Sequence, residues 1–501
     1  MTKKWKMLCS LLLIATLLLS ACSGNNTKGK EEDAVNSSGN KVEEPTELTV
    51  AFPLFGSVPK DMALIQDAVN EVTLKKINAK VELLPINFSS WQQQMNLMLS
   101  SDEKLDLIAV VGSFTQFMSK NQLIPLDKLL DEQGEGILKA LDPDYLKAGK
   151  VNNAIYAVPT LRDMATSYGI SMRKDLVEKY KIDVEKINNF ADLEEPLKVI
   201  KAGEPNLAPL LPPTFSSVIN ALPTYDTLID RIGVLMNHGD NLKVVDLFET
   251  EEYAQQLQLV RKWYEEGLIL KDATTNKVNE NELINSNRGF ATLTVINPMS
   301  YANASNGAGY PRVIKELLPS VSMSSTLTNA MWGVPVTSKV PEKAMEFLNL
   351  MYTDKELVNI LDYGIEGKHY VVKSDNIIDF PPGVDGQNSG YNLNYGWLFG
   401  NQFLSYVWNG TDPDIWKKVQ EFNDSAIKSK ALGFSFDPTP VKTEYANVSN
   451  VVGQYFLPLE TGSVDPEKIL PQFIDKLKTA GIDKVIAEKQ KQLDKWAEDN
   501  K

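Results

Sequence analysis

Near the start of the chain, apolar positions alternate between two periods. Glu47–Pro53 (ELTVAFP) and Ala79–Ile86 are short runs rich in β-formers, and each is followed by a helical pattern. The first pattern is Met62, Ile65, Val69 and Val72, and the second is Trp91, Met95, Met98 and Leu99. Leu105–Val111 (LDLIAVV) is then almost unbroken apolar sequence, as in a strand covered on both faces. Strand, helix, strand, helix, strand predicts a parallel α/β sheet with right-handed crossovers. Ile155–Pro159 predicts a further short strand, followed by the polar cluster Thr160, Arg162 and Asp163.

Tyr168–Met172 reads as a crossing into a second lobe, where Lys174–Lys181 starts a helix. Ser216–Met236 carries no clear period. Val244–Asp246 reads as a strand, Glu251–Gly267 as a helix closing on its glycine, and Gly289–Ile296 as a buried strand. Trp332–Val336 then predicts a strand returning the chain to the first lobe. Pro341 opens a helix with Ala344, Phe347, Leu348 and Met351 on one face. Thr353 and Glu356 make a capping box for a second helix, with face Leu357, Ile360 and Leu361, which Gly364 ends. Tyr363, Glu366, His369 and Tyr370 crowd the turn that follows. A third crossing is expected near Asp375. Pro466–Ala480 and Asp483–Glu498 predict closing helices in the second lobe.

The first residues have another logic. Lys3, Lys4 and Lys6 precede an apolar run, Met7–Leu19, that ends in Leu19-Ser20-Ala21-Cys22. That run is short for a membrane span, which needs about 20 residues. The pattern predicts a lipoprotein signal peptide over 1–21, with lipidation of Cys22 and an anchor on the outer face of the cell membrane. One acyl chain holds only weakly, so stable attachment needs the additional chains that lipoprotein processing supplies. Residues 22–45 are polar and Gly-containing, and predict a flexible tether.

Composition narrows the chemistry. The chain has two cysteines, Cys9 in the signal and Cys22 at the lipid site, so the folded body has no thiol for a disulfide, a nucleophile or a metal. Loss of Lys3, Lys4 and Lys6 takes the formal charge from −14 to −17, which excludes nucleic-acid binding by counterion release. About 455 residues follow the tether, enough for two domains. His238 and His369 are the only histidines and lie in no catalytic motif. No catalytic residue, cofactor or metal site is expected.

Aromatic residues outside helical faces are the stronger signal. A sugar offers C–H faces to rings and hydroxyls to fixed polar groups, so its site wants both in a cleft. Trp332 lies at a crossing. Tyr395 and Trp397 lie in an aperiodic loop rich in Tyr and Asn, and Trp408 follows another. Phe55, Ser113, Arg162 and Asp163 follow strand ends, where open α/β sheets bind ligands. Arg162 would also suit a uronic acid, and an interlobe salt bridge is the competing reading of the Arg162–Asp163 pair. Glu366 and His369 are candidate ligand contacts, while Trp91, Trp263, Trp416 and Trp496 read as core.

Several motifs follow one another in a familiar order: LTVAFP, the DLI strand at Asp106–Ile108, YAVP at Tyr156–Pro159, and MRKDLVEKY at Met172–Tyr180. MWGVP, the helix PEKAMEFLNLMYTDKE and YGIEGKHY at Tyr363–Tyr370 continue it. With the motif at Cys22, the chain resembles the family 1 extracellular solute-binding lipoproteins of bacterial ABC sugar importers, in particular the LipO-type branch. The tail from Gly433 through GIDKVIAEKQKQLDKW resembles that branch's C-terminal module. The resemblance implies a two-lobe, periplasmic-binding-protein-like α/β fold with a hinge and an interlobe cleft. The expected N-terminal lobe is 46–165 with 335–373, and the C-terminal lobe is 166–334 with 374–501. It further implies a monomeric receptor that binds a carbohydrate, an oligosaccharide, and delivers it to the permease subunits of an ABC transporter. A receptor for a peptide or other polar solute, and a surface glycoside hydrolase or lyase, are the alternatives.

Overall fold

The computed structural model of the protein describes residues 44–101, 103–112, 114–214, 216–301 and 309–500. The expected signal segment, nearly all of the tether with Cys22, and Ser113 lie outside the described residues. Pro45–Lys501 form one compact unit. Within it are two five-stranded sheets, each with its own apolar core.

The first sheet runs in the order Ala79–Asn87, Thr46–Leu54, Leu107–Val110, Met331–Gly333, Val158–Pro159. Its first three strands are parallel, joined through the helices Met62–Ile77 and Phe88–Ser100 as the alternating periods predict. Leu107–Val110 is buried throughout, in keeping with its unbroken apolar sequence. Asp106 just before it is buried yet satisfied. One carboxylate oxygen accepts the Thr49 N–H at 2.9 Å and the other the Ser338 hydroxyl at 2.8 Å. Met331–Gly333 enters antiparallel between Leu107–Val110 and Val158–Pro159.

The second sheet runs Ile427–Lys428, Arg312–Ser322, Thr166–Arg173, Gly289–Ile296, Ala208–Leu211. The helix Glu251–Glu265 buries Tyr253, Leu257, Val260 and Trp263 in this core. The closing helices Pro466–Ala480 and Ile482–Asp499 add Phe473, Leu477, Val485 and Leu493. Val244–Asp246 is no strand, since Val245 makes only an isolated bridge to Val234. The unpatterned 216–236 stretch is core all the same. It turns on Asp226 and Asp230, whose carboxylates accept the N–H groups of Leu228 (2.9 Å) and Ile232 (2.8 Å).

Two lobe assignments differ from the sequence expectation. Trp332, expected beyond the crossing at residues 166–334, belongs to the first sheet and first core. The segment after 373, expected in the second lobe, also stays with the first, since Tyr391, Leu398 and Phe399 fill its core. The reason is burial: their apolar side chains are taken out of water against the first core. The capping residue of helix Lys355–Tyr363 is Asp354, which accepts the Leu357 N–H at 2.9 Å, one residue after the expected Thr353.

The chain passes between the cores at Met164–Thr166, at Met323–Leu327 and before Leu432. Buried Asn423 holds the first of these passages. Its amide oxygen accepts the Met164 N–H at 2.8 Å, and its NH2 donates to the Arg162 carbonyl at 2.7 Å. The Ser322 hydroxyl donates to the Met164 carbonyl at 2.9 Å.

Candidate functional site

The strand ends of the first sheet open onto a cavity of about 800 Å³. Trp91, Gln92, Gln116, Arg162, Asn329 and Trp397 line it together with neighbours from the same lobe. The described lining comes from the first lobe and its crossing segments. The second lobe meets it at Asp163, whose carboxylate accepts the Asn297 side-chain N–H at 2.9 Å, just past the Gly289–Ile296 strand.

Aromatic rings gather at this mouth. Phe55, 53% exposed, stacks on Phe88 with centroids 4.4 Å apart. Tyr395 and Trp397 each lie 6.0 Å from Phe55. The Phe55 N–H donates to the Tyr395 hydroxyl at 2.8 Å, locking strand end to loop. Two neighbouring exposed phenylalanines, one just past a strand end and one at the start of a helix, are costly to leave in water and available to a ligand's apolar face.

The loop that carries Tyr395 and Trp397 has no regular secondary structure, and side chains hold it. The Thr160 hydroxyl donates to the Trp397 carbonyl at 2.9 Å, and the Tyr391 hydroxyl donates to the Leu361 carbonyl at 2.6 Å. The Asp362 carboxylate accepts the Gly396 N–H at 2.9 Å. Burial pushes the Asp362 carboxyl up to about 6 from its ordinary 3.8. A carboxyl raised in the fold costs stability when ionised, above about pH 6, and the cost is relieved as pH falls toward 4. Asp362→Asn, which keeps an oxygen for Gly396, should therefore gain most over wild type near pH 7. That advantage should shrink by about 2–3 kcal/mol by pH 4. Urea unfolding of both proteins at three pH values reads the difference, and a pH-independent gap would refute it.

Of the residues expected at the site, Phe55, Arg162, Asp163, Tyr395 and Trp397 come together here. Four others do not. Trp332 is fully buried and stacks with Phe399, and its indole N–H donates to the Leu398 carbonyl at 2.6 Å. It supports the aromatic loop from beneath. His369 is 1% exposed, because the N–H of Ile365 donates to its Nδ1 at 2.9 Å and its Nε2 lies 3.0 Å from the Asp61 carboxylate. With Nδ1 an acceptor, Nε2 carries the proton and donates to Asp61. A Cβ on Gly364, whose φ is +95°, would sit 2.5 Å from that imidazole. Trp408 packs on Phe380 at 4.3 Å and donates its N–H to Asn394 at 2.6 Å, in a separate small cluster. Glu366 is exposed on the turn beside these residues. Ser113 lies outside the described residues.

The sequence reading missed Phe88, Gln92, Gln116 and Asn329. Phe88 and Gln92 lie on the outward side of a helix whose core face, Trp91, Met95 and Leu99, was legible. The available signal was an apolar ring, Phe88, at the first helical position after a strand.

Arg162 and Asp163 pair with each other, the guanidinium Nη1 lying 2.5 Å from the carboxylate. The arginine's Nη2 also donates to the Thr326 carbonyl at 2.9 Å. The pair is therefore an ion pair between chain neighbours on the wall of the cavity, and its link to the second lobe is the hydrogen bond from Asn297 to Asp163.

A two-lobe α/β body with an open, aromatic-edged cavity beside its crossings is the architecture of a solute receptor, and the chain belongs to the bacterial extracellular solute-binding protein family, which residues 56–357 match. Residues 430–498 match a second family, a domain of unknown function (DUF3502). Among characterised relatives is a carbohydrate ABC transporter substrate-binding protein of Streptococcus pneumoniae serotype 4, 30% identical over 491 residues, 96% of each chain. Lipoprotein LipO of Bacillus subtilis strain 168 is 25% identical over 399 residues, 74% of each. The crystal structure of the N-glycan transport solute-binding protein NgtS of S. pneumoniae superposes with a TM-score of 0.81 at 28% identity, covering 91% of this chain and 100% of that one. The NgtS complex with Man1GlcNAc gives 0.70, again at 28% identity, covering 90% and 100%.

Proposed function

We propose that the protein is a monomeric receptor, lipid-anchored at Cys22 on the outer face of the cell membrane. It binds an oligosaccharide in the cavity beside the lobe crossings and delivers it to the permease of an ABC importer. The observation that carries this reading is the group of rings Phe55, Phe88, Tyr395 and Trp397 at the mouth of a cavity with amide side chains in its wall. Rings that stack on sugar faces, with Gln and Asn to meet hydroxyls, are what a carbohydrate needs. The relatives named for carbohydrate transport support it. The TM-score falls from 0.81 to 0.70 between two structures of one relative, which supports a hinge that sets the lobes differently when sugar is bound.

A thermal-shift screen against oligosaccharides tests the binding. A ligand at 100 times its Kd should add about 2.7 kcal/mol. Phe55→Ala should weaken that ligand about tenfold or more while the free protein's melting temperature stays near wild type, because the ring is largely exposed. Unchanged affinity would remove the rings from the site. Anchoring is tested separately: Cys22→Ala should release the protein from the membrane fraction or leave it unprocessed. A variant that stays membrane-bound with the mobility of the mature wild type would refute the anchor.

A further inference from the structure

We propose, resting on the carbohydrate reading above, that the cavity selects uncharged oligosaccharides and rejects uronic acids, because the cation in its wall is already spent on the protein itself. Among the described residues that line the cavity, Arg162 is the only cation and Asp163 the only anion. Capture of a sugar carboxylate takes a guanidinium that offers its two-pronged edge. Three of the five N–H donors of Arg162 are already taken, two on Nη1 and one on Nη2. Nη1 donates to the Asp163 carboxylate at 2.5 Å and to the Asp163 carbonyl at 3.1 Å, and Nη2 donates to the Thr326 carbonyl. Its side chain is only 13% exposed. A ligand carboxylate would have to displace Asp163, which Asn297 holds on its other oxygen.

The rest of the described wall is neutral. An ionised carboxylate brought into it would lose water without gaining a counter-charge. The chain's formal charge of −14 adds repulsion at longer range, screened beyond about 8 Å at physiological salt. Gln92, Gln116 and Asn329 instead each present both a donor and an acceptor, matching hydroxyl or acetamido groups that are both as well. Trp91, which lines the cavity and is 2% exposed, adds another neutral side chain to the wall, its indole N–H buried without a partner among the described residues.

Calorimetry on the full chain with two sets of oligomers of equal length tests this: neutral gluco- and manno-oligosaccharides, and oligogalacturonates. A neutral oligomer should bind with a Kd that changes less than about twofold between 50 and 300 mM NaCl, and the uronates at least 100-fold more weakly. Asp163→Asn, which frees the guanidinium, should strengthen uronate binding about tenfold at low salt, and the gain should vanish at high salt. Wild-type binding of a uronate within tenfold of the best neutral oligomer overturns the neutrality proposal and leaves the carbohydrate reading intact. Binding of neither set, with binding of a peptide mixture, overturns both.

Discussion

Replacing Glu460 by alanine is expected to cost the second lobe about 3–5 kcal/mol. Glu460 is fully buried at the end of the long helix Lys442–Glu460. One carboxylate oxygen accepts from Arg231 at 2.6 Å and from the Tyr253 hydroxyl at 2.9 Å, and the other accepts the Ser217 hydroxyl. Truncation leaves a buried guanidinium and two buried hydroxyls without their acceptor, which costs more than the pair itself contributes. The paired change Glu460→Leu with Arg231→Met removes both charges and should recover most of the loss. Urea unfolding of the two variants separates the cases. A single substitution costing less than about 1 kcal/mol would show that water reaches the network.

The second large effect separates two tryptophans. Trp332→Ala opens a cavity in the first core and should cost about 3–5 kcal/mol of stability. It also frees the Leu398 carbonyl and so loosens the loop that carries Tyr395 and Trp397, weakening ligand indirectly. Trp397→Ala acts at the cavity wall. It should cost about 2 kcal/mol or more in binding, about thirtyfold in Kd, with a smaller fall in melting temperature. Melting curves and calorimetry on both variants give the result. Early melting with intact affinity in Trp397→Ala would make that ring core as well.

The first lobe was legible because two of its three parallel strands are largely buried apolar runs, the third alternates buried and exposed positions, and each crossover helix has one apolar face. Arg312–Ser322 was not. Lys315, Glu316 and Pro319 interrupt its pattern, and its pairing with Thr166–Arg173 is broken by register shifts. The 216–236 stretch hid its core residues for another reason. Leu228, Ile229 and Arg231 take positive φ, so the buried positions follow hydrogen-bonded turns and no repeat. The site divides in the same way. Strand-end residues such as Phe55 and Arg162 could be placed from the strand pattern. A ring in an irregular loop looks the same in sequence whether it lines a cavity, as Trp397 does, or plugs a cluster, as Trp408 does.

Leu432 fills the first core, while Ala431 and Phe434 on either side of it fill the second. The order of synthesis therefore matters. A chain emerging from its N-terminus has neither core complete until the stretch around Leu432 has followed, and the second core still waits for Leu493. Contacts so distant in sequence form late and slowly. For a member of an extracellular family that delay favours export: the first core stays incomplete until Leu432 has been made, and the second until the last helix has followed.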